Sequence, residues 1–529
     1  VYTWTGAGNF PQMEDMEEYL DNRPHRQQQY FYQLFRQGGR QYGNVTEFQE
    51  ISGDSTGWAG APTRTTYNLY YPRNEAGAYV VGKLARRDLF DGIWCQEGCG
   101  TIAGQTLFYY DGNSVNTTPP TQGLLTRQAV NSGTSLGWLN TDISYWPGTA
   151  NVNVVTDPNG HSHAAFYDSA FRAFPVCGKN ASGHTTITRY FGVPGSIEPG
   201  CPTGNGSDPD PNQPEQGWFF GEVEDTRDPN DALTSYAYDT WGRLVKVWRP
   251  GQVKPTDSAT QIIDYVNYAH VNAPFDVQVR QRDDDGSAAA TYFWSWTFYD
   301  GLGQMRQKRL EADNLQNAVT DYAYNGLGLL VKESTLPSFS TTNGSYTAPI
   351  FSPGKQMSYD ALGRLRQVVN PDGSDTRTYY RHDGVQRMTA VVDARDHQTI
   401  RVSDAFGRLV QVKEFDSGAY TGDPDWYATP YATTNYGYNV RDQLMDVWDH
   451  ANNHTQMEYD LAGRKLVMGD PDMGTWTYAY DPAGNLTQQT DARGCQSNSS
   501  YDALNRVTEM TYSGPGACGS QEPAWYAYD

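Results

Sequence analysis

The chain has 529 residues, with 39 basic against 61 acidic side chains and a formal net charge of −22. That balance, with no basic run, excludes nucleic acid and anionic membranes as partners, because phosphate contacts need clustered Lys and Arg; no stretch approaches the ~18 apolar residues of a spanning helix. Hydrophobic residues are 38% and aromatics 13%, with 38 Tyr, so burial must rely on rings with polar tips, which suits thin sheets better than a thick aliphatic core.

Residues 1–160 read as a β-rich lead-in. Met13, Met16, Tyr19 and Leu20 fall at helical spacing, and Tyr30, Phe31, Leu34 and Phe35 resume it. Pro24 interrupts the run, so one broken helix or two short ones are expected between about 12 and 37. The rest of the segment alternates with frequent Gly and predicts strands. Residues 161–232 form a second, degenerate stretch. It opens near Tyr167-Asp168-Ser169-Ala170-Phe171-Arg172 and includes a Pro/Gly-rich loop over 196–217.

From 233 to 529 one motif recurs, Tyr-Asp-x-x-Gly-Arg. It stands at Tyr238-Asp239…Gly242, Tyr299-Asp300…Gly303, Tyr359-Asp360…Gly363, Tyr459-Asp460…Gly463 and Tyr480-Asp481…Gly484, then at Tyr501-Asp502 with Asn505 at the Gly place. A fixed short period marks an array of small units rather than one conventional enzyme domain. Before each motif the residues alternate, as in Trp476, Tyr478 and Tyr480, which predicts a strand with one aromatic face. Asp then starts a turn by accepting backbone N–H groups, and Gly takes the left-handed position. Arg-Leu leads back as a second strand. A companion turn follows, as in Asn370-Pro371-Asp372-Gly373 and Asp157-Pro158-Asn159-Gly160. The unit is a β-hairpin, and successive hairpins extend one antiparallel sheet. Polar insertions near 250–260, 335–356 and 416–434 are expected to leave the sheet as loops on its rim or outer face. The sequence ends on Tyr528-Asp529, the start of a further copy, and so reads as part of a longer chain.

Motif, period and companion turn together resemble the YD repeats of RHS proteins, a family that includes bacterial polymorphic toxins, cocoon proteins of insecticidal toxin complexes and the teneurins. The likeness covers about 230–529, with weaker copies from about 105. It implies an all-β sheet spiralling into a hollow shell or tube, with Tyr238, Tyr299, Tyr359, Tyr459, Tyr480 and Tyr501 stacked in rows. It also implies a choice of roles: a secreted or surface wall or fibre, a delivery shell around a toxin cargo, or a glycan-binding adhesin. The partners to expect are further copies, neighbouring repeats, glycans or an enclosed toxin. The family's shell-closing core and toxin segment are absent from these residues.

Six cysteines fall as three local pairs, Cys95/Cys99, Cys177/Cys201 and Cys495/Cys518. An even count in an acidic, Tyr- and Gly-rich chain favours disulfides and secretion, although spacing alone leaves the connectivity open. Zinc is disfavoured, because Cys95-x3-Cys99 has no second pair at metal spacing. Eight Asn-x-Ser/Thr sequons occur, Asn44, Asn116, Asn180 and Asn485 among them.

Catalytic signals are weak. Gly53-Asp54-Ser55-Thr56-Gly57 and Gly133-Thr134-Ser135-Leu136-Gly137 match a nucleophile-elbow pattern, yet neither opens an amphipathic helix. His161 and His163 share a strand face without an assignable carboxylate. Asp208-Pro209-Asp210 and Asp283-Asp284-Asp285 lack the remaining ligands of a calcium loop. Repeated Asp and Arg argue for turn and cross-strand roles, since an active site is built once. No enzyme, no metal and no cofactor are expected.

Overall fold

A computed structural model describes residues 2–5, 12–20, 23–37, 40–54, 57–58, 63–71, 80, 82–92, 100–195, 201, 220–254, 256–266, 274–283, 290–312, 316–334, 338–340, 344–383, 386–416, 424, 426–518 and 521–528. Among these the protein is all-β: 39 strands, paired antiparallel, and one 3-10 turn at Gly516–Cys518.

The expected helix between about 12 and 37 is not formed. Its residues lie in strands Gln12–Leu20 and Arg23–Gln37, and a third strand, Arg40–Asp54, pairs with the second from Arg26↔Ser52 to Gln37↔Arg40. Helical spacing is a weak local preference, and a ladder with partners on both sides satisfies the same backbone groups while bringing distant residues together. Pro24, which cannot donate to a ladder, sits beside a register shift between Glu18 and Tyr19.

The hairpins follow one plan. Tyr459 faces Lys465 while Glu458 faces Val467, so one residue of the return strand is bulged out. The same shift falls immediately before Tyr238, Tyr299, Tyr359, Tyr480 and Tyr501. A bulge bends the strand and adds right-handed twist, so a local distortion is repeated at every copy. Burial is shallow along many strands: Leu365–Val369, Leu444–Trp448 and Leu486–Thr490 have only half-buried residues. Small packed clusters occur instead of one core, such as Tyr71, Ala85 and Tyr110, or Ala237, Trp248 and Ala259.

The chain divides into two compact units. One comprises Val1–His163, Tyr379–Val391 and Asp396–Asp529; the other comprises Ala164–Thr378 and Val392–Arg395. In the second unit, two insertions expected to leave the sheet fold back over it. After Trp248 the chain returns so that its indole Nε1 donates to Asp257 O (2.9 Å), while Lys254 Nζ donates to Tyr236 O (2.7 Å) and lies over the rings of Phe191 and Trp248. Residues 344–350 cover strands Met305–Ala312 and Gln316–Tyr324. There Arg309, Gln307 and Asp321 are fully buried. Arg309 Nε donates to Gln307 Oε1 (2.9 Å) and its Nη2 to Thr347 Oγ1 (2.6 Å). Gln307 Nε2 donates to Asp321 Oδ1 (2.6 Å), and the Ile350 N–H donates to Asp321 Oδ2 (2.8 Å). The polar strand face needed partners, and the insertion supplies them.

Candidate functional site: the repeat unit and its rims

The turn is built by its Asp. Asp239 Oδ1 accepts the N–H groups of Trp241 (2.8 Å) and Arg243 (3.0 Å), and its Oδ2 accepts Arg243 Nε (2.7 Å). Gly242 holds φ 76°, the left-handed conformation that Gly adopts at least cost. Asp360 with Arg364, Asp460 with Arg464 and Asp502 with Arg506 repeat this geometry. At Asp300 a Gln304 N–H (3.0 Å) takes the fourth place, and at Asp481 it is Asn485, through both its N–H and its side-chain amide (2.8 Å each). Gly303, Gly363, Gly463 and Gly484 all have positive φ, and Asn505 (φ 60°) fills the same position. Burial alone would raise the carboxyls of Asp239 and Asp502. Backbone N–H groups and the neighbouring guanidinium outweigh it and hold both below the usual carboxylate range.

Arg and Tyr then join one hairpin to the next. The Arg464 guanidinium lies 5.3 Å from the Tyr480 ring centre, Arg243 4.2 Å from Tyr265 and Arg506 4.2 Å from Tyr528. The Tyr hydroxyl donates to the Leu carbonyl of the preceding return strand: Tyr359 to Leu330 (2.6 Å), Tyr459 to Leu444 (2.9 Å) and Tyr501 to Leu486 (2.7 Å). Tyr299 stacks on Phe275 at 5.0 Å. Tyr238 is buried, and desolvation followed by Glu222 and Tyr236 pushes its hydroxyl up to about 12. The links between successive tyrosines therefore run through a cation and a carbonyl. Nothing in the motif announces this, although a Leu two places after the turn Gly was visible at Leu244, Leu330, Leu365 and Leu486.

Within the first unit, the turns of late hairpins dock on the early strands. Phe406, in the turn after Asp404, lies under Arg26, Arg64 and Arg408. Arg64 Nη1 donates to Val440 O (3.2 Å) and pairs with Asp442 (2.8 Å) while also bonding the buried Glu50. Arg441 Nη1 donates to Ala103 O (3.3 Å), the Leu461 N–H donates to Ser132 O (2.9 Å), and Asn159 Nδ2 donates to Asp481 Oδ2 (2.9 Å). As the late turns advance from 406 to 441, 461 and 481, their partners advance from 26 and 64 to 103, 132 and 159. The two stretches run side by side in the same chain direction. Asn159 belongs to a companion turn, so the companion rim of one stretch meets the Tyr-Asp rim of the other.

The candidate chemistry does not converge. Ser135 sits in a turn between strands Leu125–Asn131 and Trp138–Tyr145. His161 Nδ1 is 3.4 Å from Asp157, and His454 Nε2 is 2.8 Å from Asp446 with its ring stacked on Trp448. Among the described residues no three His, Cys, Asp or Glu side chains group as metal ligands. Cys177 is bonded to Cys201 (Cα–Cα 5.9 Å) and Cys495 to Cys518 (5.4 Å). Cys95, Cys99, Ser55, Asp208 to Asn212, Asp284, Asp285 and all of the 196–217 loop except Cys201 lie outside the described residues.

The family model described as RHS Repeat matches residues 359–399 and 470–494, which contain the Asp360 and Asp481 turns. The chain carries RHS repeats. No curated protein sequence matches it. Among solved structures, this RHS-repeat chain is similar to the crystal structure of TcdB2-TccC3 at a TM-score of 0.66 and 14% identity, over 96% of its own length and 33% of that chain. TcdB2-TccC3-Cdc42 gives 0.65 and 13%, over 97% and 35%. A Tc holotoxin pore from Photorhabdus luminescens carrying a TccC3 mutation gives 0.65 and 14%, over 97% and 34%. The chain thus spans about a third of the length of the structures it matches. At this identity the likeness is one of fold, that of an RHS β-shell.

Proposed function

We propose that the chain is a stretch of structural wall in a secreted or cell-surface RHS protein, with no catalytic role of its own. The observation that carries this reading is how the repeat residues are used. Each Asp is occupied by backbone N–H groups and, at Asp239, Asp360, Asp460, Asp481 and Asp502, by the side chain four residues on; each such Arg lies over a ring or pairs with its Asp, and the hydroxyls of Tyr359, Tyr459 and Tyr501 reach carbonyls of the neighbouring hairpin. These groups hold a surface together and leave no acid, base or nucleophile poised over a shared cleft. Two disulfides suit an oxidising compartment. Electron microscopy of the protein expressed from its full gene tests the reading: a hollow or filamentous β-particle is expected, and a solid globule without a lumen would sink it.

A second reading, a toxin-delivery shell, is favoured by the fold likeness to TcdB2-TccC3 and to a holotoxin pore. In that case, protease treatment of intact particles should leave one segment outside the repeats undigested until the wall is denatured. Immediate digestion of every non-repeat segment would exclude it.

A further inference from the structure

The second unit carries a row of apolar knobs at the third position of its Tyr-Asp turns. Trp241 is 68% exposed, Leu302 85%, Leu327 76% and Leu362 78%. The Leu302, Leu327 and Leu362 turns close three consecutive hairpins: strand Met305–Ala312 pairs with Gln316–Tyr324, and Leu330–Ser334 with Gly354–Tyr359. Consecutive hairpins advance by two strand spacings, about 10 Å, so the knobs line one rim at that interval. Large side chains this exposed, at one repeated position, are not explained by turn formation, which uses the Asp and the Gly.

The first unit shows what such a rim accepts. There the equivalent position holds Phe406, covered by Arg26 and Arg64, and Arg441, bonded to Ala103 O. The neighbouring Leu461 packs over Gly133, and the Ala483 N–H reaches Asn159 Oδ1 of a companion turn (3.3 Å). The covering surface is the other rim of a hairpin sheet, which has the same spacing. Companion turns of that type stand exposed elsewhere on this chain, at Asp228-Pro229-Asn230-Asp231, Asn370-Pro371-Asp372-Gly373 and Asp470-Pro471-Asp472-Met473.

We propose that the Trp241–Leu302–Leu327–Leu362 rim is a docking edge for a second copy of this chain, which seats its companion-turn rim on the knobs. The inference rests on the wall reading and names its partner. Both rims are present on every copy, so the contact is heterologous and continues from copy to copy instead of closing as a two-fold dimer.

Sedimentation velocity of the purified, oxidised chain over a concentration series tests it. Mass should rise with concentration through dimer to longer species. Leu302→Asp, Leu327→Asp and Leu362→Asp combined should weaken association at least tenfold, while Phe293→Ser on a sheet face should leave it unchanged. Mixed in at low ratio, the triple variant should shorten wild-type species, because it still docks through its companion rim but cannot be docked upon. A wild-type chain that stays monomeric to its solubility limit, or association indifferent to the triple substitution, would overturn the docking edge. Circular dichroism separates the two readings: a β-rich monomer fails only the rim, whereas a chain without β structure fails the wall itself.

Discussion

The hairpins of 454–513 and those of 292–350 use the same turn and reach their stability by different means. The first set is regular, with Tyr459, Tyr480 and Tyr501 equally spaced, and its return strands Lys465–Asp470 and Leu486–Thr490 are half-buried along their length. Each hairpin leans on the next through an Arg over a ring and a Tyr hydroxyl on a carbonyl. The second set is interrupted by an insertion, and there Arg309, Gln307, Asn317 and Asp321 are fully buried beneath it. A single layer cannot bury much by itself. Where the chain spends extra residues, it lays them over the sheet and creates a local interior, and that interior is polar because the covered strand face was polar already. Regularity thus spreads stability thinly over many equal contacts, and insertion concentrates it in a few.

The largest expected effect follows from that concentration. Asp321→Ala takes the shortest acceptor from the buried Gln307 amide, which keeps only Thr347 O at 3.2 Å and Thr347 Oγ1 at 3.4 Å, leaves the Ile350 N–H without its acceptor, and removes a charge that opposes the burial-driven lowering of Arg309. A loss of about 3 kcal/mol is expected for this region. Hydrogen exchange should show it as faster exchange of 305–350 while 454–513 stays protected; equal loosening of both would break the comparison. Replacing Cys177 and Cys201 by Ser opens a crosslink spanning 24 residues and should cost roughly 3 kcal/mol on a loop-entropy account, read as a lowered melting temperature of the second unit. In the regular set, Tyr459→Phe removes one hydroxyl-to-carbonyl bond and should cost only about 1 kcal/mol. A much larger loss there would mean that the repeat bonds act cooperatively.

The pH response sharpens the picture from both sides. Glu50, Asp239 and Asp502 are raised by burial but held lower overall by hydrogen bonds and guanidinium charges. Their stabilisation is therefore complete above the ordinary carboxylate range and is lost as pH falls through their depressed values. Tyr71 and Tyr238, raised mainly by burial to about 12, stay neutral in the fold at a pH where the unfolded chain has already ionised them. Their contribution is complete below about 10 and lost between there and 12. Absorbance at the phenolate band during alkaline titration should show late-ionising tyrosines whose release coincides with unfolding.

The all-β class and the hairpin unit were legible because they rest on local chemistry that repeats: an alternating strand, an Asp that caps, a Gly with positive φ. Residues 12–37 were misread because Met13, Met16, Tyr19 and Leu20 happen to fall at helical spacing, whereas their pairing with each other and with strands Tyr2–Thr5 and Arg40–Asp54 leaves no mark in that local spacing. The bulge before each Tyr was invisible, since it is a matter of register between strands and no residue type marks it. What the folded-back insertions cover was invisible for a related reason. Thr347 and Ile350 look like loop residues until the buried amide and carboxylate that they satisfy are in view. The docking of Arg64 on Asp442, 378 residues away, belongs to the same class of facts.

The Tyr-to-Leu bond between hairpins also governs how such a sheet comes apart under load. Tension applied at one end of an antiparallel ladder meets its bonds a few at a time, so the chain peels instead of shearing. Each detached unit of 21 residues, the interval from Tyr459 to Tyr480 and from Tyr480 to Tyr501, releases roughly 70 Å of contour length. A pulling experiment should therefore record a sawtooth of equal small steps through 454–513. Longer, later ruptures should appear where Arg309 and its covering strap must leave together.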